Sequence, residues 1–206
     1  PLRHAGHEVA LVAPVGGDDV AEWLLAKLQG AGIDVSAVVR VPGGSTRSIV
    51  LVDPGGERTI VNLHRCRETG PPDRLASLEA DAIYVRTRDL DVTALLAEAA
   101  ARSLVVAHVP PLETGSRPAH VLVGSESDLP AEFLADPWAA GREIAGLALR
   151  LVVVTRGERG AEAYGASEHE SVRAPHVTVV DSTAAGDVFA AGLVHALTEG
   201  RPTRAA

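Results

Sequence analysis

The chain has 206 residues, of which 46% are hydrophobic and 22% charged, so it can bury the core of a globular domain and is neither disordered nor collagen-like. Its 27 acidic and 19 basic residues give a formal net charge of −8. This acidic balance disfavours non-specific binding to nucleic acid.

A single cysteine, Cys66, excludes an intramolecular disulfide and a four-cysteine zinc site, and it fits a reducing cytoplasm. No apolar run approaches the ~20 residues of a membrane span, and no signal-peptide pattern opens the chain. We therefore expect a cytoplasmic protein with neither a membrane nor a nucleic acid as partner.

The first third of the chain predicts a strand, a turn and a helix, followed by a strand and a β-hairpin. The strand is apolar and β-branched, the helix has apolar residues at helical spacing, and Asp53-Pro54-Gly55-Gly56 is a strong turn signal for the hairpin. In order, the predicted elements are a strand over 7–15, a helix over 20–28, a strand over 35–41, and hairpin strands over 48–52 and 58–62.

The rest of the chain alternates between predicted strands and helices. Strands are predicted over 82–85, 103–107, 121–123, 151–155, 161–164 and 177–180, and helices over 92–101, 130–134, 138–149 and from the loop 181–187 to near Gly200. Residues 151–155 form the most β-branched run and predict a central strand. Because parallel βαβ units explain this order best, we predict an α/β fold with a mainly parallel sheet.

The strongest chemical signal is the small-residue loop 181–187, which follows a predicted strand and opens an apolar helix. Such a loop can direct several backbone N–H groups at one anion, and the helix N-terminus favours negative charge there. Asp187 beside a phosphoryl group is suited to taking a proton from an attacking hydroxyl. An ordinary helix cap with first-turn dipole stabilisation explains the same residues about equally well on physics alone.

Two weaker signals follow neighbouring predicted strands. Residues 155–160 (TRGERG) make a glycine turn after the central strand, and Ser125-Glu126-Ser127-Asp128 places two carboxylates after another. Ligands bind at the carboxyl ends of parallel strands, and carboxylate oxygens suit magnesium. A tight turn alone also explains residues 155–160, and an ordinary helix cap also explains residues 125–128. The three loops together, however, suggest phosphoryl transfer.

At this point the sequence resembles the ribokinase-like, or PfkB, family of carbohydrate kinases. The segment DSTAAGD at 181–187, followed by VFAAGL, is similar to the family signature Asp-Thr-Thr-Gly-Ala-Gly-Asp. GHEVALVAPVGGD, the hairpin IVLVDPGGERTI, the SESD segment and VTRGERGA match in the same order across nearly the whole chain. The resemblance implies a three-layer α/β/α sandwich as one domain over 1–206, with a small β-lid hairpin over 46–62.

The resemblance also implies the catalytic residues. Asp187 would be the base that deprotonates a sugar hydroxyl for attack on the γ-phosphate of ATP, and Ala185, Gly186 and the Asp187 amide would form the anion hole. Ala184 stands where the family usually has glycine at the first anion-hole position. If that residue needs positive φ, its Cβ costs about 1 kcal/mol or more.

Cofactor and substrate residues follow from the same resemblance. Thr155, Gly157 and Gly160 would serve the nucleotide; Asp128 or Glu126 would help organise magnesium; and Asp181 and Thr183 match positions near a monovalent cation such as K⁺. The spacing around GERTIVN and YVRTR looks most like the sulfofructose kinase branch. In that branch an Asn and an Arg serve the anionic end of the substrate, which implies Asn62 and Arg88.

Arg88 reads equally well as an exposed surface residue, and Arg86 can fill the same role. Ribokinase, fructokinase and 2-keto-3-deoxygluconate kinase activities stay open.

Family members normally begin with a strand that bears a sugar-binding Asp and a Gly-Gly-Asn stretch, and they finish with helices that close the adenine side. Neither is in this chain, so we expect a fragment that is truncated at both ends. The predicted function is ATP-dependent phosphorylation of a sugar or sugar-acid hydroxyl, with a homodimer through the lid. The alternatives are a catalytically impaired nucleotide- or sugar-binding remnant and, ranked low because no G-x-G-x-x-G opens a helix, a dinucleotide-binding oxidoreductase.

Overall fold

The fold is described from a computed structural model, which describes residues 1–52, 58–87, 91–110, 116–179 and 182–202. The chain forms two compact units, residues 2–75 and residues 76–206 together with Pro1. The prediction of one kinase domain over 1–206, with a lid at 46–62, stays a prediction.

The smaller unit contains one helix and two small sheets. Strands β1 (Ala13–Val15) and β2 (Val38–Arg40) pair in parallel on either side of helix α1 (Asp19–Gly30) in the sequence. Strands β3 (Arg47–Val52) and β4 (Arg58–His64) pair antiparallel, which confirms the predicted hairpin strands. The turn predicted between them, at 53–56, lies outside the described residues.

Asp18 joins the start of α1 to the segment that precedes β3. Its carboxylate accepts hydrogen bonds from the Ala21 N–H (3.1 Å), the Ser45 hydroxyl (2.6 Å) and the Ser45 N–H (3.0 Å). The Ser45 backbone lies so close to Gly16 that a Cβ on Gly16 would be 2.3 Å from Ser45 N. These contacts explain why a glycine and a helix-capping aspartate stand at this turn. Hydrogen bonds from Ser45 lower the pKa of Asp18 to about 2.

The larger unit is built on a six-stranded sheet. Its strands are β5 (Ala82–Val85), β6 (Leu104–His108), β7 (Val121–Ser125), β8 (Leu151–Thr155), β9 (Ala161–Tyr164) and β10 (His169–Val172). The spatial order is β10-β9-β8-β7-β6-β5; β5 to β8 are parallel, and β9 and β10 add antiparallel strands at one edge. The predicted α/β class with a mainly parallel sheet is confirmed.

Helices pack against this sheet and cover its apolar strands. They are α2 (Thr93–Ala99), α3 (Ala131–Ala135), α4 (Pro137–Ala145) and α5 (Ala185–Thr198). α2 contacts β6, α4 contacts β8, and α5 contacts β5. The centres of β6, β7 and β8 are fully buried, because their β-branched side chains have helices or neighbouring strands around them. None of the described helices is long and apolar enough to cross a membrane.

Three sequence predictions need correction in detail. The strand predicted over 7–15 is shortened to β1, because residues 9–11 meet only Asp34, through an isolated bridge. Residues 177–179 form no strand: their two valines are exposed, and they pair with none of the described strands. β10 itself was not predicted, because HESV lacks a regular apolar alternation.

The Asp18 contacts predict a pH effect on stability. Because the folded-state pKa of Asp18 is below its unfolded value of 3.8, its contribution is present above about pH 4 and is lost as the pH falls through 2. Asp18→Asn has no titrating group here. We expect the stability advantage of the wild type over this variant, measured by urea unfolding, to shrink from pH 4 to pH 2. An advantage that stays constant over that range would contradict the account.

Candidate active site

Four strand ends assemble the site, because parallel strands end at the same edge of a sheet. Arg86 follows β5, His108 ends β6, Ser125 ends β7 and Thr155 ends β8. At one end of this edge the Glu126 N–H donates to the Thr155 carbonyl (2.9 Å), so the acidic segment and the glycine turn lie side by side. From β5 to β8 the edge spans about 14 Å, at about 4.8 Å between strands.

At the β5 end of this edge, Asp187 lies in the first turn of α5 and faces two side chains of β5 and its following loop. Asp187 Oδ1 accepts a hydrogen bond from Arg86 Nε (2.8 Å) and one from the Tyr84 hydroxyl (3.2 Å). The Asp187 and Arg86 side chains are 44% and 50% exposed, so the carboxylate is reachable from solvent. The predicted base therefore lies in an accessible position and is paired with a cation.

Tyr84 and His108 continue the contacts of Asp187 into the sheet. The Tyr84 hydroxyl is 2.5 Å from His108 Nε2, and the two rings meet edge to face at 5.6 Å. Burial, with the nearby Asp187 carboxylate as the next cause, raises the pKa of Tyr84 well above its ordinary value. Tyr84 was missed by the sequence analysis. The only available signal was its place at the end of an apolar strand.

Arg117 holds the loop that follows β5. Its side chain is buried, and Nη1 donates to the Thr87 carbonyl at 2.9 Å, one residue after Arg86. Burial lowers the pKa of Arg117, and Asp91 partly opposes this effect. A buried cation bound to backbone fixes the loop from which Arg86 reaches Asp187.

The residues predicted to form the anion hole lie at the start of α5. Ala184, which precedes the helix, has φ 58° and is the one non-glycine residue with positive φ in the described part of the chain. Its side chain cannot cap the helix, and the N–H groups of Gly186 and Asp187 have no acceptor among the described residues. The first N–H groups of a helix are donors that lack intrahelical partners. The Ala185 N–H donates to the Ser182 carbonyl instead (3.2 Å).

The turn after β8 requires both of its glycines. Gly157 has φ 57° and Gly160 has φ 100°, which are conformations that side chains rarely adopt. A Cβ on Gly160 would lie 1.9 Å from the Val172 carbonyl oxygen, whereas a Cβ on Gly157 would meet nothing. Gly160 therefore serves close packing against the segment after β10, and Gly157 leaves open space above the strand end.

The Glu126 carboxylate, next to this turn, forms ion pairs with two arginines. One of its carboxylate oxygens accepts from Arg156 Nη1 (2.8 Å) and the other from Arg159 Nη2. Arg156 also donates to Glu162 (2.8 Å) and Tyr164, and the bond with Tyr164 is the largest cause that raises the pKa of Arg156. The sequence pattern gave no sign of these ion pairs, which join residues up to 33 positions apart.

The donor set fits magnesium at Asp128 better than at Glu126. Asp128 is exposed, and its carboxylate has no partner among the residues that the structure describes, whereas both oxygens of Glu126 are engaged. Within the described ranges, no group of three His, Cys, Asp or Glu side chains could hold a metal ion. A magnesium ion bound by one or two carboxylates, water and phosphate oxygens does not need such a group.

The remaining predicted site residues lie elsewhere. Asn62 is on β4 in the smaller unit, where its Oδ1 accepts from the Ser48 hydroxyl at 2.9 Å. Arg88 and Asp181, predicted for substrate and cation, lie outside the described residues. Thr183 is described and lies in the turn just before α5. All of these assignments stay predictions.

Comparisons with known proteins show the family of this chain. The sequence profile of the pfkB family carbohydrate kinases matches residues 1–206. An ATP-dependent ribose-1-phosphate kinase of Halopiger xanaduensis is 30% identical over 220 residues, which are 98% of this chain and 72% of that protein.

Solved structures give the same picture of the fold. The adenosine kinase of Sinorhizobium meliloti has a TM-score of 0.75 at 20% identity, covering 99% of this chain and 70% of its own. The ribokinase of Thermotoga maritima has a TM-score of 0.71 at 23% identity, covering 94% and 69%. The ribokinase-like fold that the resemblance implied is confirmed.

The two glycines of the β8 turn give a matched pair of variants. Gly157→Ala should cost about 1 kcal/mol of unfolding free energy, because only the backbone conformation is strained. Gly160→Ala should cost about 3 kcal/mol or more, because the backbone of residues 172–174 must also move. Urea unfolding of both variants measures this difference. Equal losses would contradict the close approach at Gly160.

Ala184→Gly tests the strain at the start of α5. Glycine adopts φ 58° without a Cβ penalty but loses more backbone entropy on folding, so we expect a net gain of about 0.5–1 kcal/mol. Chemical denaturation measures the gain, and Ala185→Gly, at the first helical residue, is the control that should lose stability. A loss at both positions would show that Ala184 is not strained.

Proposed function

The chain belongs to the pfkB family of carbohydrate kinases, and from this premise we propose that it transfers the γ-phosphoryl group of ATP to a hydroxyl of a sugar or sugar acid, with Asp187 as the base. The observation that supports this assignment best is the position of Asp187. Its partly exposed carboxylate stands in the first turn of a helix in which the N–H groups of Gly186 and Asp187 lack acceptors among the described residues.

The proposed step uses these groups in one in-line displacement. Asp187 takes the proton of the acceptor hydroxyl, and the hydroxyl oxygen forms a bond to the γ-phosphorus. The bond from that phosphorus to the bridging oxygen breaks, and its electron pair leaves with ADP. The N–H groups of Gly186 and Asp187 stabilise the charge on the transferring group, as helix N-termini do. The Ala185 N–H, which was predicted to join them, is used by the Ser182 carbonyl.

Arg86 has a further part in this step. A lone carboxylate beside a phosphoryl group is repelled by it, and the Arg86 guanidinium 2.8 Å away offsets that repulsion. Only Nε is used by Asp187, so the two terminal nitrogens extend toward solvent from a half-exposed side chain. We assign Arg86 to the reacting groups, next to the base.

The nucleotide and its metal are assigned to the β8 end of the sheet edge that carries Asp187 at its β5 end. In this proposal, Thr155 and the turn formed by Gly157 and Gly160 bind the nucleotide. Asp128 binds magnesium through water, and Glu126, which is paired with two arginines, lies beside it in the same segment. When bound, magnesium neutralises charge on the phosphates. A monovalent cation such as K⁺ is assigned to Asp181 and Thr183.

The substrate is proposed to have an anionic end. An Arg recognises phosphate, sulfonate or carboxylate through two parallel hydrogen bonds, which is the role proposed for Arg88 with Asn62. The Halopiger relative is named for a phosphorylated sugar, ribose-1-phosphate. Closure of the hairpin at 46–62 over the sugar, pairing of two copies through that hairpin and a cytoplasmic location belong to the same proposal.

One observation favours the alternative of an impaired remnant. Ala184 holds a left-handed conformation that glycine adopts at lower cost, at a position where the anion hole must be well ordered. Under this alternative the protein binds an ATP analogue, but no sugar stimulates ADP release. A panel of ribose-1-phosphate, ribose, adenosine and a sugar acid distinguishes the two functions.

Asp187→Asn is the test of the base. It keeps the shape of the side chain but removes the proton acceptor, so sugar-dependent ADP release should fall about 10²–10⁴-fold while ATP-analogue binding is retained. Asp136→Asn is the matched control, because Asp136 caps α4 away from the site and asparagine caps helices as well as aspartate. Near-normal turnover of Asp187→Asn, with the control equally active, would contradict the assignment.

A further inference from the structure

The two oxygens of the Asp187 carboxylate are not equivalent. Both hydrogen bonds, from Arg86 Nε (2.8 Å) and from Tyr84 Oη (3.2 Å), end on Oδ1. Oδ2 has no partner in the described part of the structure. One oxygen is therefore held by the protein, and the other is left for a ligand.

The hydrogen-bonding chemistry of Asp187, Tyr84 and His108 indicates which of them donates and which accepts. A carboxylate can only accept, so the Tyr84 hydroxyl uses its single proton toward Asp187. Tyr84 Oη and His108 Nε2 are 2.5 Å apart, and with the tyrosine proton directed at Asp187 we assign the histidine as the donor of this contact. A directed chain results, in which His108 donates to Tyr84 and Tyr84 donates to Asp187.

The two donors on Oδ1 differ in rigidity. Tyr84 lies within β5, where it pairs with Val106 of β6, and its ring is partly buried against His108. Arg86 lies after the strand and is half exposed. A tyrosine on a strand has two rotatable side-chain bonds, whereas an exposed arginine is mobile. The orientation of the carboxylate therefore depends more on Tyr84 than on Arg86.

We propose that Tyr84, itself held by His108, is a positioning residue that fixes Oδ1 of Asp187 so that Oδ2 is the oxygen that takes the proton of the acceptor hydroxyl. The inference rests on the proposed function of Asp187 as the base. The hydroxyl proton passes to Oδ2, the hydroxyl oxygen bonds to the γ-phosphorus, and ADP leaves with the bridging oxygen. Tyr84 keeps its own proton throughout.

Tyr84→Phe removes the donor and keeps the ring. We expect kcat to fall about tenfold, while KM for ATP changes less than twofold, because the nucleotide loop is untouched. The split between kcat and KM is the readout that separates positioning from a structural role. An unchanged kcat, or a rise in KM for ATP as large as the fall in kcat, would show that Tyr84 has no positioning role and would overturn the inference.

His108 provides a second pair of variants, which also serves if Tyr84→Phe fails to fold. His108→Leu removes the donor to Tyr84 and should lower kcat several-fold, whereas His108→Gln keeps an N–H donor and should restore most of it. The double variant Tyr84→Phe/His108→Leu should be no slower than Tyr84→Phe, because both act on the same oxygen. Full additivity, or equal activity of the Leu and Gln variants, would overturn the inference.

Comparison with Asp187→Asn distinguishes a failure of the positioning role of Tyr84 from a failure of the base role of Asp187. If Asp187→Asn is inactive while Tyr84→Phe has the wild-type kcat, the positioning role is wrong and the base assignment stands. If Asp187→Asn turns over normally, the proposed function is wrong whatever Tyr84→Phe does. All assays use the full-length protein with the sugar that gives the largest ADP release in the panel.

Discussion

The carboxylate of Asp187 ties the first turn of α5 to the end of β5 through contacts with Tyr84 and Arg86, which lie 103 and 101 positions earlier in the chain. This contact sets the place of the helix start relative to the sheet edge. It thereby determines where the donors of Gly186 and Asp187 point, and how far they lie from the glycine turn at β8. The remainder of the site is arranged around this junction.

Charge balance along the sheet edge follows one pattern at both ends. Asp187 is paired with Arg86, and Glu126 is paired with Arg156 and Arg159. Both carboxylates thus have a guanidinium beside them. The pairs are partly exposed, so they contribute little to stability, but they offset repulsion when a polyanion binds. Asp128, exposed and without such a partner among the described residues, is the carboxylate best suited to a hydrated magnesium ion.

Local sequence patterns predicted the parts of this molecule that depend on local physics. The β-branched run at β8, the helical pattern of α5 and the need for glycine at Gly160 are all encoded within a few residues. The sequence analysis left open whether Ala184 needs positive φ, and the structure gives it φ 58°. The strand predicted at 177–180 failed over its described part because a strand needs a neighbour, and no pattern within the segment reports one.

The polar contacts of the site could not be read from the sequence for the same reason. Tyr84 looks like one more apolar strand residue, and its role depends on His108 and Asp187, which the fold brings to it. The sequence predicts Glu126 as a residue that helps to organise magnesium, but it gives no sign of the ion pairs that Glu126 makes with Arg156 and Arg159. Such contacts are properties of the folded chain, since each partner is unremarkable in its own segment.

In the proposed reaction Asp187 is the base, and Oδ2 is its reacting oxygen. A crystal structure of the protein with a non-hydrolysable ATP analogue, magnesium and the accepted sugar tests it most directly. The account predicts the acceptor hydroxyl within about 3.2 Å of Oδ2, with Oδ1 still bound by Tyr84 and Arg86. A hydroxyl seated on Oδ1 with Tyr84 displaced, or no sugar oxygen near Asp187, would contradict it.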